Sequence, residues 1–142
     1  DNLRVVEVME FSRNFYAVVL ESNTGRGAAE LLIDPYTARV MLEMGPTRMW
    51  NTKYGHMKLR VDEPIANTLS VEDAVTAAQD YLDEEMSGAE VEADGIEFYG
   101  YFSFDYTVDG EVAGMLSVNG ITGQVWPHTW HGEFLDEKEF DE

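Results

Sequence analysis

Two clusters of side chains in this chain have types and spacing suited to chemistry. The first is His128-Thr129-Trp130-His131-Gly132. Two imidazoles three residues apart suit a metal if the backbone turns there, and Gly132 permits a turn. In an extended strand His128 and Trp130 share one face and His131 points to the other, so a strand would separate the pair. The rival reading is a structural or surface role for both histidines. The second cluster is Met41, Met44, Met49 and Met57 with His56, all within seventeen residues. Thioethers with imidazole suit Cu(I). The competing reading is a methionine-rich connector packed on aromatics. The candidate ligands are therefore Met49, His56, Met57, His128 and His131. Trp126 and Trp130, with Tyr101 and His128, either anchor a sheet or form an aromatic contact surface.

Catalysis finds little to use. The serines at 12, 22, 70, 87, 103 and 117 lie in no nucleophile motif, and no glycine loop suits phosphate. There is no cysteine, which excludes disulfides, thiol catalysis and thiolate-held metals. No organic cofactor is expected. With 28 Asp and Glu against 9 Lys and Arg, the net charge is −19. Such a surface repels nucleic acid and anionic lipid. It suits a solvated surface, a saline habitat, weak cation binding or a basic partner. No run of eighteen apolar residues is present, so no membrane-spanning helix is expected.

The elements that position these residues come in two copies. Shifted by 85 residues, the stretch from Val5 to Val40 aligns with a second stretch without a gap. Eight of the 36 pairs are identical, among them Tyr16/Tyr101, Gly25/Gly110, Leu31/Leu116, Thr37/Thr122 and Val40/Val125. Unrelated segments would share about 2, at about 6% per position. Each copy reads as an antiparallel meander. The strands are expected at 5–11, 15–23, 27–33 and 39–44, and at 91–98, 101–108, 111–118 and 124–130. Thr24-Gly25 and Asp109-Gly110 are the hairpin turns. Asp34 and Asn119 open the next turn through their own downstream backbone. Gly123 suits a left-handed position there, and its counterpart Ala38 would be strained by about 1 kcal/mol.

One helix is expected over about 70–87. Ser70 caps it, Glu72 and Asp73 suit its first turn, and Val71, Ala74, Val75, Ala78, Tyr81 and Leu82 form an apolar face. The expected fold is α+β: two repeated antiparallel meanders, with this helix on the second. The first unit spans 1–44, a connector 45–69, the second unit 70–134 and an acidic tail 135–142. The tail is expected to fray. Trp50 and Tyr54 are expected to pin the connector. Shifted by 85, residues 70–86 fall at −15 to 1. The first unit's own helix is thus expected upstream of Asp1, cut away or removed in maturation, or else lacking. In the first two cases the first meander would expose an apolar face, which invites a partner or a second copy.

A helix, a meander and a turn of the form Asp/Asn-x-x-Thr-Gly-x-Val resemble the PepSY domain. The matching stretches are Ile33-Asp34-Pro35-Tyr36-Thr37-Ala38-Arg39-Val40 and Val118-Asn119-Gly120-Ile121-Thr122-Gly123-Gln124-Val125. The first unit matches only in its strand half, and Ala38 stands where the family has Gly. The resemblance implies a non-enzymatic protein- or peptide-binding module of the cell envelope or extracellular space, with a peptidase as one partner to restrain. A self-assembling extracellular protein and a soft-metal binder are the alternatives.

Overall fold

The computed structural model describes residues 2–55 and 65–140. The first meander comprises β1 (Leu3–Phe11), β2 (Phe15–Glu21), β3 (Gly27–Ile33) and β4 (Val40–Leu42). A short helix, α1 (Pro46–Met49), follows, then α2 (Val71–Glu85). The second meander comprises β5 (Ala89–Val91), β6 (Ile96–Glu97), β7 (Tyr101–Val108), β8 (Glu111–Asn119) and β9 (Val125–Pro127), and β10 (Phe134–Glu139) closes the chain. The fold is α+β. The sheets run β10-β1-β2-β3-β4 and β5-β7-β8-β9, with β6 also on β7, and every strand pair is antiparallel.

The two meanders follow the same path, and their third turns match bond for bond. Asp34 Oδ1 accepts from the backbone of Tyr36 and Thr37, and Asn119 Oδ1 accepts from Ile121 and Thr122. Thr37 Oγ1 accepts from Arg39 N, and Thr122 Oγ1 from Gln124 N. Ala38 has φ 63° and Gly123 φ 78°, so Ala38 occupies the left-handed region that its alignment with a glycine predicts. The hairpins differ in one respect. Phe102 pairs with Val118, which would translate to Ala17 with Ile33, yet Ala17 pairs with Leu31. The register slides by two residues, which preserves the faces because side chains alternate with period two.

The molecule has three layers. Met9, Tyr16, Val18 and Leu32 of the first sheet pack on Phe98, Tyr101 and Met115 of the second. On the second sheet's other face, Ala74, Ala78 and Leu82 of α2 meet Phe102, Phe104, Leu116 and Val118. Each large apolar side chain so buried contributes about 1.5–3 kcal/mol. Small alanines let the helix approach the phenylalanines. Ser70 and Asp73 form a reciprocal capping box at its start. Gln79 clamps the helix to β5, donating to Ala89 O at 3.0 Å and accepting from Val91 N at 2.9 Å.

Four expectations need correction. The acidic tail does not fray at its start: Phe134–Glu139 pairs with β1, and Phe134 packs edge-on against Phe11. The expected strand 91–98 is broken, since Glu92–Gly95 separates β5 from β6. The strands expected to reach Met44 and Trp130 stop at Leu42 and Pro127. The connector is partly helical at α1. Trp50 packs on Trp126 and Tyr54 donates to Glu21, as pinning requires.

Candidate functional site: a buried polar centre and an open sheet face

Glu43 and His128 follow the last strands of the two meanders at equivalent positions, since 43 plus 85 is 128. Their backbones bond alike: Glu43 N donates to Glu30 O at 2.9 Å, and His128 N to Met115 O at 3.0 Å. Beyond Pro127 the chain turns instead of continuing as strand. Gly132 takes φ 82°, and a Cβ there would lie 2.2 Å from Ser12 Oγ, so only glycine fits. Arg13 N, Ser12 N and the Asn14 side chain bond to the carbonyls of His131, Glu133 and Trp130. That turn swings His131 back beside His128, where an extended strand would have separated them.

The result is a cluster at the junction of the two units. Glu43 Oε2 lies 2.9 Å from His131 Nε2 and 3.4 Å from His128 Nδ1, and the two ring nitrogens are 3.4 Å apart. Trp130 Nε1 donates to the same carboxylate oxygen at 2.9 Å. The outer ring nitrogens are held as well, His128 Nε2 by Ser117 Oγ at 2.8 Å and His131 Nδ1 by Asn14 Oδ1 at 2.9 Å. Glu43 Oε1 is buried without a hydrogen-bond partner. Nearby, Glu30 accepts from Tyr16 at 2.5 Å and from Tyr101 at 2.8 Å, two tyrosines that are themselves equivalent in the repeat.

Electrostatics follow from this geometry. Burial alone would raise the Glu43 carboxyl, but His128 and His131 outweigh it and hold it down at about 2. Burial would lower His128, and the Glu43 charge instead raises it. Glu30 is pushed up to about 7 by burial and by Glu43, against the pull of His128 and the two tyrosines.

Ser117, His128 and Glu43 are linked in the order nucleophile, base, acid. Ser117 is nevertheless wholly buried, with Ser103 Oγ 2.6 Å away on its other side. No substrate carbonyl can reach its oxygen there, so the bonds orient the ring and do not prime an attack.

The expected aromatic contact surface is a correction. Tyr101 is 0% exposed and His128 7%, because the second sheet turns this face towards the first. Trp126 and Trp130 are half-buried, Trp126 edge-on to Trp50 and Trp130 stacked on His128. The structure brings His128 and His131 together but leaves Met49 on the surface at 47% exposure. His56 and Met57 lie outside the described residues. Sequence reading missed Glu43. Extending the repeat three residues past Val40 would have set it opposite His128.

A second acidic feature is a cleft of about 320 Å³ between the sheets, lined by Glu7, Glu92, Asp94, Asp105, Glu137 and Glu139. Burial and then neighbouring carboxylates push Glu7 up to about 8 and Asp105 to about 7.

The third feature is the outer face of the first sheet. Cross-strand pairing places Val8, Phe15, Ala17, Val19, Leu31 and Ile33 on it, continued by Val40 on β4. In the second unit α2 covers the corresponding face. Among the described elements, no helix packs on the first sheet's face. Val5 and Val40 at its two sides are 43% and 56% exposed, whereas Ala17 and Val19 at its centre are buried and Val8, Phe15, Leu31 and Ile33 half-buried. At the β10 side Glu10 stands directly opposite Asp136, two like charges in register.

Compared with known proteins, the chain matches no family model, and neither a curated protein nor a solved structure is significantly similar to it.

Proposed function

We propose that the protein is a non-catalytic protein-binding module that receives an amphipathic helix on the outer face of its first sheet. One observation carries this reading: two units share a chain path, yet among the described residues no helix lies on the first unit's counterpart of the face that α2 covers in the second. The covered unit shows what such a face accepts. Ala74, Ala78 and Leu82, four residues apart, form a narrow stripe of small and branched side chains. The partner helix is expected to carry the same spacing. Charge adds a second criterion. A net charge of −19 and the Glu10–Asp136 pair favour a helix flanked by lysine or arginine.

The PepSY resemblance extends the proposal to the cell envelope or extracellular space, with a peptidase as the class of partner to be restrained. A second copy of the chain is the alternative occupant.

The test is a calorimetric titration with a peptide of the α2 sequence, Ser70–Met86, its outward carboxylates replaced by lysine. Saturable binding, lost in a folded Leu31→Asp variant, supports the reading. No binding, or equal binding by Leu31→Asp, ends it. Sizing across a range of concentrations separates a second copy, which would show as a dimer lost in the same variant.

A further inference from the structure

We propose that Glu43, His128 and His131 form a binding site for a zinc-class divalent cation, seated between the two units and joining them. The reading is independent of the helix-binding face.

Three observations support it. An ion bound tetrahedrally at 2.0–2.1 Å holds its ligand atoms about 3.3–3.4 Å apart. The three inward atoms here are separated by 3.4, 3.4 and 2.9 Å, so two edges match and the Glu43–His131 edge, now at hydrogen-bond length, has to open by about 0.4–0.5 Å. The outward nitrogens are occupied by Ser117 and Asn14, uncharged partners that fix each ring's orientation and leave Nδ1 of His128 and Nε2 of His131 facing inward. Glu43 Oε1, buried and unpartnered, is available as the second arm of a chelating carboxylate, whose narrow bite would give a distorted four-coordinate site. A proton shared between Glu43 and an imidazole would hold the cluster together but leave that oxygen unsatisfied.

The donor set names the ligand class. Two imidazole nitrogens and a carboxylate suit Zn(II), whereas Cu(I) favours the sulfur ligands that this centre lacks. Glu43 comes from the first unit and both histidines from the second. The ion would thus add a bridge between two sheets that are already joined by apolar contacts, the Glu30–tyrosine bonds, the Tyr99–Glu21 bond and the Arg26–Glu97 ion pair. All three ligands are buried, so uptake is expected during folding and not by the finished fold.

The experiment is to unfold the protein in guanidinium with a chelator and refold it with one equivalent of Zn(II) or Co(II). Excess metal is then removed and the metal retained is measured. One ion per chain, a raised melting temperature, and the intense visible bands of four-coordinate Co(II) are expected. His131→Gln should retain none, and Asn14→Ala should bind roughly tenfold more weakly. No retained metal, or equal retention by His131→Gln, overturns the proposal. So does a weak six-coordinate Co(II) spectrum, the mark of surface carboxylates only. Should His131→Gln fail to refold, the Co(II) spectrum of the unaltered protein decides by itself.

Discussion

Glu43 and His128 occupy the same position in two copies of one unit and face each other at 3.4 Å. A contact between equivalent positions is what two like surfaces make when they pack on each other. The same holds for Tyr16 and Tyr101, whose hydroxyls converge on Glu30. The tyrosines make a pair of identical residues at equivalent positions, whereas Glu at one position and His at the other make a complementary pair.

The turns offer a matched pair of substitutions. Ala38 sits at φ 63° and pays for a Cβ in the left-handed region. Ala38→Gly is expected to stabilise the protein by about 0.5–1 kcal/mol, after the greater freedom of an unfolded glycine is subtracted. Gly123→Ala is expected to cost about 1 kcal/mol. A Cβ there would meet only Leu69, at an ordinary 3.6 Å, so backbone strain alone is read. Urea denaturation of the two variants checks both signs.

Glu30 needs its tyrosines. It is fully buried, and its two carboxylate oxygens each accept from one hydroxyl. Tyr16→Phe or Tyr101→Phe should each cost about 1–3 kcal/mol by leaving a buried acceptor unmatched. The two changes are expected to be non-additive, since both act on one carboxylate. A double-mutant cycle with additive losses would contradict a shared site.

Stability should peak in mild acid. Burial and neighbouring carboxylates hold the proton on Glu7 to about pH 8 and on Asp105 to about pH 7. An unfolded chain releases both near about pH 4. Their contribution is complete below that value and is lost as pH climbs towards 8. Glu21 works in the opposite sense. Burial would raise it, but bonds from Lys53, Tyr54, Tyr99 and Thr24 hold it at about 2. Its contribution is present above the ordinary carboxylate range and is lost as pH falls towards 2. Unfolding free energies from about pH 3 to 9 should therefore be greatest at roughly pH 4–5. Asp105→Asn should flatten the alkaline limb. A maximum at pH 7 or above would contradict the assignment.

Much of the fold was legible because its signals are local. The Ser70 cap, the apolar spacing of α2, the Asp34 and Asn119 turns and the strain at Ala38 each depend on a few neighbouring residues. The parts that were not legible depend on distant ones. Asp136-Glu137-Lys138-Glu139 shows no strand alternation and becomes a strand only through the edge of β1. Tyr101 and the tryptophans look like a contact surface until the second sheet is known to face the first. His131 reaches His128 only because the β1–β2 loop holds the turn at Gly132. Glu43 carried no motif of its own, and only the repeat register marked it.

Mapping backbone amide shifts by NMR, as a lysine-flanked alanine- and leucine-striped helical peptide is added, tests the central claim most directly. The account predicts saturable changes concentrated at Val8, Ala17, Val19 and Leu31, with α2 and the second sheet unmoved. Changes centred on the second unit, or none at all, would contradict it.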